Sequence, residues 1–166
     1  MTAPPTDDEP GGRTELCLVC GRRFPESEGR CQVCIKQVSR ATLNDLRARP
    51  GWRILVTGSR DWTDTQTVLD ALDYHTLASD TLVVGDCPTG ADRIATDRWR
   101  EFGGHLEVHR ADWSRWGRAA GPRRNLDMVR SGADVCLVFI RGGSRGASHC
   151  ANEAEKAKIL VYRWYV

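Results

Sequence analysis

Residues 53–62, Arg-Ile-Leu-Val-Thr-Gly-Ser-Arg-Asp-Trp, decide the fold. A short apolar run of β-prone residues stops at a glycine, and polar residues follow. That is the signature of a strand buried on both faces, ending in a tight turn. Thr63 to Ala78 follows with Val68, Leu69, Leu72 and Leu77 at roughly helical spacing. The same alternation then repeats. Thr81–Val84 reads as a second strand, ending at Gly85-Asp86, and Thr89 to Phe102 as a helix closed by Gly103-Gly104. Leu106–His109 is a third strand, Arg118 to Arg130 a helix, and Ala133–Ile140 the fourth and most apolar strand. Ser148 to Lys158 is a helix and Ile159–Arg163 the last strand. Strands alternating with helices of this length predict an α/β fold. It is a Rossmann-like parallel sheet of about five strands, with helices on both faces and right-handed crossovers.

In a parallel sheet every strand's C-terminal end lies on one edge, and ligands bind there. The loops at those ends are therefore where function is to be sought. After strand one come Gly58, Ser59, Arg60 and Trp62. After strand two come Gly85, Asp86, Thr89, Gly90 and Asp92, opening a helix whose free N–H groups and dipole favour an anion. Gly142, Gly143, Ser144, Arg145 and Gly146 follow strand four and open another helix. Gly121, Arg124 and Asn125 stand near the start of the third helix. Glycines admit close backbone approach and arginines offer a planar fork to phosphate. Neither the dinucleotide fingerprint G-x-G-x-x-G nor a Walker A loop is present, which argues against a generic NAD dehydrogenase or P-loop ATPase. Trp62, Trp113 and Trp116 follow predicted strand ends and are the base-stacking candidates. Packing at the rim or in the core is the alternative for each.

Taken together, GSRDW (58–62), GDCPTGAD (85–92), ADW (111–113), AGPRRNLDM (120–128) and GGSRGA (142–147) resemble the SLOG superfamily, most closely its YspA-type branch. The resemblance covers about residues 52–166. It implies binding of nucleotides or nucleotide-derived, ADP-ribose-like signals, by a sensor or sequestering protein. Lonely Guy phosphoribohydrolases and DprA-like single-stranded DNA binders are related, so nucleotide N-glycosidase activity and single-strand binding stand as alternatives. Arg124 falls where the Lonely Guy arginine would be, and Gly142, Gly143 and Gly146 resemble its loop glycines. The glutamate that such a loop supplies falls near His149-Cys150, and the nearest acid downstream is Glu153. Arg124, Asp92 and Glu153 are accordingly the catalytic candidates, with Asp92 also readable as a structural residue at a helix start.

Upstream of Pro50-Gly51 the composition changes. Residues 1–14 are polar and rich in Pro, Gly and acids, and are expected to be a disordered tail. Residues 15–40 hold Cys17-x2-Cys20 and Cys31-x2-Cys34, a spacing that predicts a structural zinc held by four thiolates in a zinc-ribbon or treble-clef module. Residues 41–51 read as a short helix and linker to the nucleotide-binding domain at 52–166. Arg22, Arg23 and Arg30 let the module contact nucleic acid, while docking or dimerisation of proteins is the reading it favours. A homo-oligomer is expected.

The chain has 166 residues and a net charge of +2, so it is no obvious polyanion binder as a whole. Its 24 Lys and Arg include only Lys36, Lys156 and Lys158, which leaves 21 Arg. A GC-rich genome and selection for phosphate contacts both give such a bias. No apolar run is long enough for a bilayer span, and the first residues lack the basic and apolar regions of a signal peptide. The expected location is the cytoplasm, with no membrane partner.

Overall fold

The computed structural model describes the backbone of residues 14–16 and 23–25 and all of residues 51–166. The chain divides into two compact units, residues 1–48 and 49–166. In the first unit β1 (Thr14–Leu16) pairs antiparallel with β2 (Arg23–Pro25), with Glu15 opposite Phe24. The zinc expectation for Cys17, Cys20, Cys31 and Cys34 lies outside the described residues.

The second unit is a five-stranded, all-parallel sheet. Its strands are β3 (Arg53–Gly58), β4 (Thr81–Gly85), β5 (His105–His109), β6 (Val135–Ile140) and β7 (Leu160–Tyr165), in the order β5-β4-β3-β6-β7. The chain builds outward from β3 to β5, then returns to add β6 and β7 on the other side. The order thus reverses between β3 and β6. Helices α1 (Thr65–His75) and α2 (Gly90–Phe102) cover one face. There Val68, Leu72, Ala95 and Trp99 pack on Ile54, Val56, Leu82, Val84 and Phe139. Helices α4 (Ala120–Arg130) and α5 (Arg145–Lys156) cover the other, over Leu55, Val83, Cys136 and Val138. The α/β expectation with helices on both faces holds.

Local chemistry explains the elements. Every residue of β6 is buried, because a central strand covered on both faces has no polar side. Helix α2 buries Ala91, Ala95 and Trp99 at spacings of four, a single stripe against the sheet. It stops at Gly103, whose left-handed backbone lets the Gly103 and Gly104 N–H groups reach back to Arg100 and Trp99 carbonyls. Asp64 caps α1 by accepting from the Thr67 N–H at 3.1 Å. Helix α5 buries only small residues, Ala147, Cys150, Ala151 and Ala154, so it lies close to β3 and β6.

Two helix starts differ from the sequence expectation. The third helix, expected from Arg118, begins at Ala120, after a short turn of helix α3 (Trp113–Trp116) and a 3-10 turn at Gly117–Ala119. Asp112 nucleates α3 by accepting from the Arg115 N–H. Pro122 sits in the first turn of α4, where its missing N–H leaves no bond unmade. Helix α5 starts at Arg145 instead of Ser148, because Ser144 is its cap and accepts from the Ala147 N–H. Among the described residues no helix is long and apolar enough to cross a membrane.

Candidate functional site

A cleft of about 310 Å³ opens at the C-terminal sheet edge, lined by Arg60, Asp86, Cys87, Pro88, Ala111, Trp113 and Arg124. The loops after β3, β4 and β5 supply all of these except Arg124, which α4 delivers from the side. A smaller cavity of about 140 Å³ lies between α1 and α2, where Arg98 already pairs with Asp73. That cavity has no spare charge for an anion.

Arg124 dominates the cleft. Its side chain is buried, with 9% of the residue exposed. Its guanidinium fills the space that a side chain at position 85 would need. A Cβ on Gly85 would stand 1.6 Å from Arg124 Nη1, so glycine leaves room for the guanidinium where it lies and any side chain there would displace it. Arg124 Nε donates to Asn125 Oδ1 at 3.0 Å, and Nη2 lies 3.6 Å from Cys87 Sγ. Among the described residues no carboxylate pairs with it within 4.0 Å. A buried cation without an anion is costly, so this arrangement points to an anionic ligand.

Helix α2 begins beneath the same cleft. Thr89 is its first flanking residue and makes no side-chain cap bond. Gly90 has φ +74°, and a side chain there would run into the Ser59 carbonyl, so the β4 turn is pressed against the β3 turn. Asp92 is buried in the first turn of α2, where Oδ1 accepts the Gly58 N–H at 2.9 Å. Burial pushes its carboxyl from the ordinary 3.8 up to about 6, against the pull of Arg124 and of its hydrogen bonds. Asp92 therefore holds the β3 turn against α2 and is structurally committed. Asp86 stands exposed at the rim, 3.3 Å from Arg110.

Four of the residues expected from sequence thus meet in one cleft: Arg60, Asp86, Trp113 and Arg124. Trp113 is half exposed, with the Arg60 guanidinium 5.5 Å from its ring centroid. Cys87, Pro88 and Ala111 line the cleft without having been singled out. Cys87 and Pro88 lie inside GDCPTGAD, but a thiol judged only by metal spacing gives no signal. Trp62 is a correction. It is 2% exposed, packs edge-on against Phe139 and donates its Nε1–H to the Asp64 carbonyl, so it presents no face to a base. Ser59 is equally occupied, since its hydroxyl accepts the Arg141 N–H at 2.8 Å and ties the β3 turn to the β6 loop.

The Gly142, Gly143, Ser144, Arg145 and Gly146 loop does not line the cleft. It is coupled to it, because the Asn125 side chain donates to the Gly146 carbonyl at 3.1 Å while accepting from Arg124. Gly121 supports the other wall, directly beneath the Trp113 ring. Glu153 is a second correction. It lies about 12 Å along α5 from Arg145, at 1.5 Å per residue. It pairs with Lys156 at 2.7 Å and is absent from the cleft lining. Among the described residues no cluster of three or more His, Cys, Asp or Glu is arranged to hold a metal.

Comparison with known proteins agrees with the fold. The family model of the YspA, cpYpsA-related SLOG family matches residues 52–116, the stretch that carries β3 through α3. The Gene 61 protein of Mycobacterium phage D29 is 50% identical over 117 residues, which cover 66% of this chain and 93% of that protein. No solved structure matches the chain. With the five-stranded parallel sheet and the glycine turns at its C-terminal edge, these matches place the chain in the YspA- and cpYpsA-related SLOG family.

Proposed function

We propose that the second unit binds a nucleotide or an ADP-ribose-like nucleotide derivative in the Arg124 cleft, as a sensor or sequestering protein. One observation carries the reading: a buried arginine at the C-terminal edge of a Rossmann-like sheet, lining an open cleft and lacking a carboxylate partner. A phosphate supplies the missing charge. The fork of Arg124 takes it from below, Arg60 from the rim, and the dipole of α2 adds a favourable field at its start. Trp113, half exposed in the cleft lining, stacks the base. The cleft volume sits at the lower end of the ~300–1,000 Å³ of small-molecule sites.

Binding without turnover is favoured over N-glycoside hydrolysis. Hydrolysis needs a carboxylate beside the sugar to meet developing positive charge. Glu153 is spent on Lys156 away from the cleft, Asp92 is spent on the Gly58 N–H, and Asp86, the carboxylate that does line the cleft, stands at its rim paired with Arg110.

Calorimetry with a panel of nucleoside mono- and diphosphates and ADP-ribose, with inorganic phosphate as control, tests this. We expect micromolar affinity for at least one nucleotide. Arg124→Met is expected to lower it at least about 100-fold, since a charge-assisted bidentate contact in a buried site is lost. Failure of every panel member to bind, or full binding by Arg124→Met, rejects the proposal. Release of free base, followed by chromatography, would favour the hydrolase instead.

A further inference from the structure

The cleft is not uniformly cationic. Among the residues that line it, Arg60 and Arg124 are positive and Asp86 is the one acid. An ionised carboxylate only accepts hydrogen bonds, and it repels phosphate. In a site that held nothing but an anion, Asp86 would weaken binding. Its place in the lining calls for a ligand group that donates.

The fold does not depend on the Asp86 carboxylate. The residue is fixed through its backbone, whose N–H donates to the His109 carbonyl at 3.1 Å. Its side chain is 57% exposed, and its partner, Arg110 with Nε 3.3 Å from Oδ2, is 82% exposed. So exposed a pair contributes little to stability. Among the described residues Oδ1 accepts no hydrogen bond. Elsewhere aspartates are occupied: Asp64 and Asp112 cap helices, and Asp80 and Asp92 accept backbone N–H groups.

Asp86 also stands with the aromatic group of the cleft and not with the phosphate fork. Arg124 forms no ion pair with it within 4.0 Å. Its contacts run instead to His109 and Arg110 at the end of β5, and the same turn goes on to Trp113. A base lying on that indole turns its edge to the groups at the side of the ring.

Resting on the nucleotide reading of this cleft, we infer that Asp86 reads the base edge and selects guanine. Guanine is the common base with two adjacent donors on its pairing edge, the ring N1–H and the N2 amine, and these match the two oxygens of a carboxylate. Adenine and cytosine set an acceptor nitrogen beside their one amine, and uracil flanks its N–H with two carbonyls. A carboxylate facing any of those three meets a lone pair as well as a donor. The ligand class is therefore a guanine nucleotide, its phosphate on Arg124.

Calorimetry of the full chain with GDP, IDP, ADP, UDP, CDP and xanthosine diphosphate tests it, in EDTA and again with magnesium. GDP is expected to bind about tenfold or more tighter than ADP, with IDP, which lacks the N2 amine, between them. Asp86→Asn is expected to weaken GDP about tenfold and to bind xanthosine diphosphate better than GDP, because the amide N–H now meets the carbonyl that replaces the amine. A gained ligand requires a folded cleft, so damage to the fold cannot imitate it. Nucleotides that bind without preference for guanine overturn this inference and leave the cleft reading intact. So does an Asp86→Asn variant that keeps the GDP preference. Binding that needs magnesium and ignores the base would assign Asp86 to a cation and overturn it too. If no nucleotide binds, the cleft reading fails and this inference fails with it.

Discussion

The two edges of one parallel sheet hold the same kinds of residue in opposite states. At the N-terminal edge each buried charge is met by the protein. Asp80 is fully buried and accepts the Trp52 and Leu77 N–H groups, both at 2.8 Å. Arg53 spans Gly132, Ser131 and Glu107, and Asp134 accepts the Arg53 N–H. From that edge Arg53 reaches Glu107 in the middle of β5 and, together with His109 at the far end of the strand, holds its carboxyl down to about 2 despite partial burial. At the C-terminal edge Arg124 is also buried, yet its hydrogen bonds reach only an amide oxygen and a thiol, and the carboxylate that attracts it, Asp92, forms no ion pair with it within 4.0 Å. The difference separates groups that complete the fold from groups that await something outside it. Burial alone distinguishes neither, and what matters is whether the partners are internal.

The largest effects come from reversing these two roles. Asp80→Ala strands two buried N–H groups and is expected to cost about 4 kcal/mol of stability, read by urea unfolding. Arg124→Met removes a buried cation with no ion pair. Because it also removes the attraction on the buried Asp92 carboxyl, it is expected to change the stability of the ligand-free protein by no more than about 1 kcal/mol, while abolishing nucleotide binding. If Arg124→Met destabilises the free protein as much as Asp80→Ala does, the two edges are not different in kind.

Asp92 lies between these cases, and pH exposes it. Its carboxyl titrates at about 6 when folded against 3.8 ordinarily. At low pH it is protonated in both states and contributes nothing. As pH rises between those two values the unfolded chain loses its proton first, so stability falls, and the loss is complete above the folded value. At about 1.4 kcal/mol per unit the loss is about 3 kcal/mol. Asp92→Asn keeps an oxygen for the Gly58 N–H without the charge, so its stability is expected to stay level across that window. Unfolding at pH 4 and pH 7 checks this. A variant less stable than the wild type at pH 7 would show that the Arg124 attraction outweighs burial.

Gly85 tests whether the cleft is built around the Arg124 guanidinium. Gly85→Ala places a methyl group where Nη1 now lies. The side chain is long and swings away, so stability is expected to change by less than about 1 kcal/mol, while nucleotide affinity falls about tenfold with the fork misplaced. Equal affinity in calorimetry would mean that the fork is not pre-set by the glycine.

Sequence shows the element pattern well, because burial on both faces writes itself as unbroken apolar runs, as in Val135–Ile140. It also shows that Arg60, Asp86, Trp113 and Arg124 belong to turns or helix starts at one edge. It does not show which turns share a cleft. The β5-β4-β3-β6-β7 order puts the β4 and β5 turns around Arg124 and leaves the Gly142 loop to one side. Nor does it show Trp62 as buried, because its partner Phe139 comes from a distant strand. Ser59 is opaque for the same reason, its hydroxyl being claimed by Arg141 across the switch point. Glu153 is the nearest acid downstream of the glycine loop in sequence, but α5 carries it about 12 Å along its axis from Arg145, and it pairs there with Lys156.

The smallest expected effect concerns that glycine loop, and it sharpens the comparison where it is least obvious. Gly143 has φ +69°, and a Cβ there would meet nothing within 4 Å. Gly143→Ala therefore costs only backbone strain, about 1 kcal/mol. Gly142 is alike in φ and in open space. If the loop serves only to start α5, nucleotide affinity is expected to be unchanged by Gly143→Ala, since Ser144 still caps the helix and Asn125 still reaches Gly146. An affinity loss larger than the stability loss would show the opposite: that the loop closes over the ligand from beyond the present cleft. The site would then span the β3–β6 switch point as well as the β4 and β5 turns, and the ligand would be longer than the Arg124 cleft alone can hold.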